Sequence, residues 1–259
     1  MKSPRLLLLL LLAAASLGLL GNSYTDEDID RMKSRYERRP TASRTVPKEL
    51  LAAPYRPPTL LAWFLPYPEW EEEYRVHFQR LYHDPRLTFR PSMIVMHYTV
   101  TAEAQAVWSG FARGCRMSQG DYGNNFGHPS VHLMVGPEGT VYQLLPLDRR
   151  CTGAYGVDHV ALSIELVARD EAELLSRRAQ VLASFHLVRW LTETLGLPAS
   201  RVVAHSEVGQ GRRAVPDYTD YADSKCPDGY PPESTRRDPG STYMAWLRGY
   251  LAGLPPSAR

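Results

Sequence analysis

The sequence predicts an α/β domain whose central mixed β-sheet is flanked by helices and preceded by an N-terminal extension. Three observations favour this fold. Apolar runs of strand length alternate with amphipathic, helix-like stretches over the second part of the chain. Two of these runs are joined by residues 136–139, Gly-Pro-Glu-Gly, which is a strong hairpin signal. Strands and helices that alternate at this spacing normally pack as one layered domain around a single sheet.

Local periodicity and capping residues predict the individual elements. Residues 69–83 carry aromatic side chains four positions apart, which places them along one stripe of a helix. We expect this stripe to pack on the core, and a platform for substrate is the alternative. Gly196 closes a long helix predicted over 171–195. The other predicted elements are strands at 93–97, 131–135, 140–145, 161–167 and 201–205, and helices at 101–113 and 243–251.

The first 21 residues have the pattern of a secretory signal peptide. Lys2 and Arg5 precede an apolar run over residues 6–20, and small residues follow. A retained membrane anchor is the alternative, but a run of about 15 residues is shorter than the roughly 20 that a spanning helix needs. We therefore expect residues 1–21 to direct export to a periplasm or to the outside of the cell.

Composition divides the rest of the chain into an extension and a domain. Residues 22–86 are rich in proline and arginine and are predicted to form a tether that ends in the aromatic helix. Residues 60–65 are an apolar exception that is expected to dock on the domain. The domain is predicted over 87–254, and it contains a Pro- and Asp-rich insertion at 209–237.

The charge balance excludes one broad class of partners. The chain has 30 basic and 28 acidic residues, so its formal net charge is only +2. Proteins that bind the phosphate backbone of nucleic acids normally carry a concentrated positive charge, and this composition does not show one. No stretch after residue 21 is long and apolar enough to suggest a membrane span.

Two histidines and one aspartate form a candidate metal site. His97 and His205 each end an apolar run, and Asp238 opens an Asp-Pro-Gly sequence. Taken singly, each residue is more often structural, because buried histidines are common in cores and Asp-Pro-Gly is a turn signal. Together, two imidazoles and a carboxylate with a fourth position left open are typical of catalytic zinc. The three residues therefore predict a hydrolase.

Five segments, in order along residues 90–252, carry a resemblance to a known family. They are IVMHYT at 94–99, SVHLMVGPEGTVY at 130–142, ALSIEL at 161–166, AHSE at 204–207 and RRDPGSTYMAW at 236–246. The chain resembles the zinc-dependent N-acetylmuramoyl-L-alanine amidases of the type-2 amidase family, which includes the AmpD-like enzymes and the peptidoglycan recognition proteins. Each segment alone is a weak signal, but five in the family's order are a strong one.

The resemblance implies roles for particular residues. It implies His97, His205 and Asp238 as ligands of Zn²⁺ and Glu165 as the general acid and base. A carboxylate in an apolar strand has a chemical reason to be there if it moves a proton, and a buried ion pair is the alternative. Arg236 stands where the family often has lysine, and we expect it to stabilise oxyanion charge, unless it is an ordinary surface residue.

One further segment departs from the family pattern, and one cysteine is a rival to a candidate ligand. Residues 150–153, Arg-Cys-Thr-Gly, stand where the family has Trp-His-Ala-Gly, so Cys151 replaces the histidine that contacts substrate in the family. Cys226, in a Cys-Pro sequence of the insertion, is a rival third ligand to Asp238, because thiolate also binds zinc well. His132 is expected to be structural or to face substrate, and we do not expect it to bind the metal.

The three cysteines of the chain suggest one disulfide. An oxidising compartment permits a single bridge among Cys115, Cys151 and Cys226. Our first expectation pairs Cys115 with Cys151, because both lie in segments that border the candidate site. The sequence does not fix this pairing.

The function implied by the resemblance is zinc-dependent hydrolysis of the amide between N-acetylmuramic acid and L-alanine in peptidoglycan or in muropeptides. The alternatives are a non-catalytic peptidoglycan-recognition module and a zinc peptidase that cuts the stem peptide. The protein is expected to act as a monomer, without nucleic acid. No His-Glu-x-x-His helix supports a standard metalloprotease.

Overall fold

The computed structural model describes residues 43–113, 128–211, 214–215, 217–219 and 237–253. Six strands form one sheet, namely β1 Leu60–Ala62, β2 Met93–Tyr98, β3 Leu133–Val135, β4 Val141–Gln143, β5 Ala161–Leu166 and β6 Val202–Ala204. The described residues form seven α-helices, namely α1 Lys48–Leu51, α2 Glu71–Tyr82, α3 Ala104–Arg113, α4 Glu171–Ser176, α5 Arg178–Leu195, α6 His205–Val208 and α7 Ser241–Ala252. The predicted α/β class with a central sheet is confirmed.

The sheet is mixed, and its strand order is β1-β4-β3-β5-β2-β6. Only the predicted hairpin of β3 and β4 pairs in an antiparallel manner, and the other neighbouring strands are parallel. Gly139 adopts a positive φ of 92° in the hairpin turn, where a residue with a side chain would be strained. Parallel pairing places the carboxyl ends of β5, β2 and β6 together at one edge of the sheet.

Side chains alternate between the two faces of the central strands. On one face, Ile94, Met96 and Ile164 join the main core with Phe185 of α5 and Leu247 of α7. On the other face, Met93 and Val95 pack in a smaller cluster with Val203. His97 and Glu165 belong to this second face, because they lie two residues beyond Val95 and Ser163 on their strands.

The aromatic stripe of α2 lies in the core. Trp70, Tyr74 and Phe78 are buried in a third cluster with Met134 and Leu144 of the sheet region. The Tyr74 hydroxyl also donates to the His128 carbonyl oxygen at 2.6 Å. The stripe is therefore a packing surface, and the alternative of a substrate platform is not supported.

The long helix predicted over 171–195 is two helices. Arg177 leaves the helical conformation, with φ −96° and ψ 77°, and separates α4 from α5. Its guanidinium donates to the Val167 carbonyl oxygen at 2.6 Å and to the Glu173 carboxylate at 2.8 Å. The bond to Val167 joins Arg177 to the segment that follows β5, and periodicity along the sequence does not reveal such a contact.

Part of the segment predicted as a tether contacts the domain. The indole of Trp246 in α7 donates to the Ser43 carbonyl oxygen at 2.6 Å. The Arg189 guanidinium of α5 lies 3.9 Å above the ring of Tyr55. Further along, β1 pairs with β4 and extends the sheet by one strand. Residues 43–62 thus pass over α7 and α5 and reach the sheet edge, while the division of the chain at residue 86 stays a prediction.

No helix in the described part of the chain combines the length and apolar character that crossing a membrane requires.

Two neighbouring leucines of α1 test whether the extension contributes to stability. Leu50 is 3% exposed and packs in the main core, whereas Leu51 is 49% exposed. We expect Leu50→Ala to lower the free energy of unfolding by about 2–4 kcal/mol, because it removes buried methyl groups and leaves a cavity. The control Leu51→Ala should change it by less than about 0.5 kcal/mol. Urea unfolding of both variants measures the difference, and equal stabilities would contradict packing of α1 on the core.

Candidate metal centre

The register of three parallel strands assembles the site. His97 of β2 aligns with Glu165 of β5, and Met96 aligns with Ala204, the last residue of β6. His205 follows Ala204 directly and begins α6. Because parallel strands end at the same edge of a sheet, both histidines and Glu165 lie together at the carboxyl edge of the sheet. In open α/β sheets this edge is where ligands normally bind.

The three residues predicted as metal ligands meet at this edge. His97 Nδ1 lies 2.9 Å from His205 Nδ1, and His205 Nδ1 lies 2.8 Å from Asp238 Oδ2. The third distance, from His97 Nδ1 to Asp238 Oδ2, is 3.4 Å. All three side chains are buried, and one ligand atom from each lies within 4.8 Å of the other two. The sequence therefore identified three remote residues that the fold brings into direct contact.

Asp238 reaches the site from the C-terminal part of the chain. It precedes Pro239 and Gly240, and α7 starts at Ser241. The Asp238 carbonyl oxygen accepts a hydrogen bond from the Ser206 amide at 3.0 Å, which ties this segment to the first turn of α6. The aspartate is thus held by its backbone as well as by its contacts with the two imidazoles.

The electrostatics of the cluster suit a cation. Burial acts to raise the pKa of Asp238, but the charges and hydrogen bonds of His205 and His97 outweigh it and hold the pKa well below its usual value. The carboxylate is therefore kept ionised. Two ring nitrogens and an anionic oxygen aimed at one another repel unless they share a proton or a metal ion. This donor set is one that Zn²⁺ accepts, and it leaves a fourth position for solvent or substrate.

Glu165 lies beside the cluster. It is buried at the end of β5 and is in register with His97 on one side and Met134 on the other. Residues in register on adjacent parallel strands point to the same face, and the strands are about 4.8 Å apart. A carboxyl group thus occupies the same face and edge as the candidate ligands.

Several sequence-predicted residues lie outside the described residues. These are Arg236, the predicted oxyanion-stabilising residue, Cys226, the rival ligand, and Cys115. Most of the insertion at 209–237 also lies outside them.

Cys151 corrects the expected disulfide. Its thiol is free and buried, so the pairing of Cys115 with Cys151 is wrong. The sulfur packs 3.4 Å from His132 Nδ1, and burial raises the pKa of the thiol well above its usual value. Cys151 is therefore a neutral packing residue. Its neighbour Arg150 pairs with Asp84 at 2.6 Å and anchors the segment that follows α2.

Glu207 is a contributor whose role the sequence analysis missed. Its carboxylate accepts a hydrogen bond from the Ala204 amide at 2.8 Å and pairs with Arg248 of α7 at 2.6 Å. Ala204 is the residue before His205, so Glu207 fixes the backbone turn that begins α6 and carries this histidine. A glutamate three residues after a helix cap is a recognisable capping signal, and it was present in Ala-His-Ser-Glu.

His132 is a structural residue. Its Nε2 donates to the Arg149 carbonyl oxygen at 2.6 Å, and its Nδ1 accepts from the Ser163 amide at 3.0 Å. The ring joins the residue before β3 to the middle of β5, two positions before Glu165. Burial lowers the pKa of His132 to about 4, although the bond to Arg149 acts in the opposite direction. The neutral ring, with its proton on Nε2, is therefore the form that the fold requires.

Comparison with known proteins assigns the chain to a family. A family model described as N-acetylmuramoyl-L-alanine amidase matches residues 87–227, which is more than half of the 259 residues. The chain therefore belongs to the N-acetylmuramoyl-L-alanine amidase family. Membership supports amidase activity on peptidoglycan as the general function. No curated protein sequence matches the chain.

Solved structures with a similar arrangement include bacterial amidases and insect recognition proteins. The endolysin N-acetylmuramoyl-L-alanine amidase LysCS from Clostridium intestinale is 18% identical with a TM-score of 0.43, over 61% of this chain and 88% of that one. The Drosophila peptidoglycan recognition protein PGRP-SA is 19% identical with a TM-score of 0.35, over 47% of this chain and 72% of that one.

The lowered pKa of His132 allows a test of its structural role. In the unfolded chain the pKa is about 6.5, so the unfolded state binds a proton first as pH falls. The stability contributed by the neutral ring is complete above pH 6.5 and is lost as pH falls towards 4. We expect His132→Gln to be less stable than the wild type at pH 7, and the difference to shrink by about 3 kcal/mol at pH 4.

Urea unfolding of both proteins from pH 7 to pH 4 measures how the difference in their free energies of unfolding changes with pH. The other buried histidines are present in both proteins, so their titration cancels from the difference. Stability curves that stay parallel over the whole range would show that His132 is not buried in its neutral form.

Proposed function

We propose that this protein hydrolyses the amide bond between the lactyl group of N-acetylmuramic acid and L-alanine in peptidoglycan, as a zinc enzyme. The observation that carries the proposal is the convergence of His97, His205 and Asp238 on one buried point. It occurs in a chain whose family is described as N-acetylmuramoyl-L-alanine amidase. These three side chains would hold the ion, and the fourth position would be open to the reaction.

A bound Zn²⁺ would polarise the scissile carbonyl and lower the pKa of a water molecule towards neutrality. The protein's part is to hold the ligands ready before substrate arrives. Asp238 would contribute the anionic ligand, and the positive charge of the ion would keep its carboxylate ionised. The two strand ends leave His97 and His205 little freedom to move, because both are buried and follow paired strand residues.

Glu165 would move the proton that the reaction transfers. Its carboxylate accepts the proton of the attacking water and then donates it to the L-alanine nitrogen as the carbon–nitrogen bond breaks. The products are the lactyl carboxylate and the free amine of the stem peptide. The register with His97 supports this role, because it puts the carboxyl group on the face of the sheet that carries the ligands.

Arg236 is proposed to stabilise the negative charge that develops on the carbonyl oxygen. It precedes Asp238 by two residues, and a guanidinium offers two parallel donors to an oxyanion. Export through residues 1–21 is proposed as well, because the substrate lies outside the cytoplasmic membrane.

Two other functions would use the same fold. A recognition module needs neither a complete ligand set nor an acid/base residue, so the three candidate ligands and the buried Glu165 in register with one of them support hydrolysis. A peptidase that cuts within the stem would share the ligands but release different ends. The identity of the new amine therefore separates the three functions.

Digestion of purified muropeptides with and without a chelator tests the proposal. The full-length protein should release stem peptides that begin with a free L-alanine amine, and chelation should abolish the release. Mass analysis of the products measures both. Cleavage at another bond would favour the peptidase, and binding without cleavage in the presence of added zinc would favour the recognition module.

Replacement of Glu165 by glutamine tests its proton-transfer role. The amide has nearly the same shape but cannot accept the proton, so we expect the rate of cleavage to fall by about a hundredfold or more. The zinc content should stay at the wild-type level, because Glu165 is not among the proposed ligands. Steady-state cleavage and metal analysis of the same sample measure the two effects. Wild-type turnover by Glu165→Gln would remove Glu165 from the mechanism.

A further inference from the structure

Glu171 carries a further buried carboxylate, which is not part of the candidate metal cluster. Glu171 is the first residue of α4, and it is 9% exposed. One of its oxygens, Oε1, accepts hydrogen bonds from the backbone amides of Thr242 at 2.6 Å and Tyr243 at 2.9 Å. These amides belong to the first turn of α7, whose N–H groups have no partners within the helix. The carboxylate therefore satisfies the N-terminus of α7 from a helix that lies 71 residues earlier in the chain.

The start of α7 determines where Asp238 can lie. Only Pro239 and Gly240 separate Asp238 from Ser241, the first residue of the helix. Gly240 has a φ of 101°, and a Cβ atom added there would overlap the carboxyl group of Glu171. Glu171 thus packs directly on the backbone two residues from the candidate ligand.

Glu171 lies close along the chain to the carboxyl end of β5. The segment that contains it leaves β5 only a few residues after Glu165. Asp170 caps α4 by accepting a hydrogen bond from the Glu173 amide at 2.8 Å. Glu171 therefore links the strand that carries Glu165 to the segment that carries Asp238.

We infer that Glu171 is a positioning residue for the metal centre, because its carboxylate fixes the first turn of α7 and thereby aims Asp238 at His97 and His205. This inference rests on the proposed function, since it concerns the third ligand of the proposed zinc ion. A negative charge at a helix N-terminus also stabilises the helix. A purely structural cap would affect folding but would leave the metal affinity of the folded protein unchanged.

Zinc affinity of the full-length protein distinguishes the two roles. The metal-free protein is titrated with zinc against a chromophoric chelator, and the fold of each variant is checked by circular dichroism. The variants are Glu171→Ala, Glu171→Gln and Asp238→Ala. The matched control is Glu173→Gln, because Glu173 lies on the same helix but pairs with Arg169 and Arg177.

We expect Glu171→Ala to raise the Kd for zinc by about ten- to a hundredfold, the usual effect of removing a group that orients a ligand. Glu171→Gln keeps an accepting oxygen but loses the charge, so its Kd should rise by about threefold. Glu173→Gln should match the wild type. If Glu171→Ala does not fold, the comparison of Glu171→Gln with Glu173→Gln decides.

The outcomes separate this inference from the proposed function. Wild-type affinity in both Glu171 variants, with loss of stability alone, would overturn the positioning role and leave the zinc proposal intact. Wild-type affinity in Asp238→Ala would place the third ligand elsewhere and would also overturn it. A wild-type protein that binds no zinc would refute the metal centre, and the inference would fall with it.

Discussion

The site depends on the register of β2 between β5 and β6. Apolar residues at alternate positions of these strands face the helices α5 and α7, so a slip of one residue would turn the whole apolar set away from the core. The same alternation puts His97 and Glu165 on the opposite face. The hydrophobic pattern that folds the sheet therefore also fixes which polar side chains share its carboxyl edge. Chemistry and packing are set by one constraint.

Asp238 completes the cluster under a different constraint. Burial of a carboxylate is unfavourable unless charge and hydrogen bonds compensate it, and here the two imidazoles do so. Its backbone is restrained from two directions, by the Ser206 amide and by the start of α7 on Glu171. The first turn of α6 is held in the same way by Glu207 and Arg248. Two of the three candidate ligands thus rest on short backbone segments that are held by carboxylates.

Much of this could be predicted from sequence because its signals are local. Strand runs, the Gly-rich hairpin turn, a histidine at the end of each of two strands and the Asp-Pro-Gly sequence of Asp238 are visible within a few residues. The ordered family segments added Glu165. The missed features are long-range. Arg177, at the break between α4 and α5, is bonded to Val167, and Glu171 accepts hydrogen bonds from residues 71 and 72 positions away. The expected disulfide of Cys151 was wrong because its position in the sequence does not reveal that its thiol is buried and free.

The passage of residues 43–62 around the domain bears on how the protein is cut for expression. The family match suggests a fragment of residues 87–227, but that fragment would lack β1 and α2 at one end and Asp238 with α7 at the other. Its β4 edge would be left open to pair with strands of other molecules, and the apolar surface beneath α2 and α7 would meet water. Such a fragment is expected to aggregate into inclusion bodies when it is expressed. A fragment that starts before Ser43 and ends after Gly253 retains every described contact.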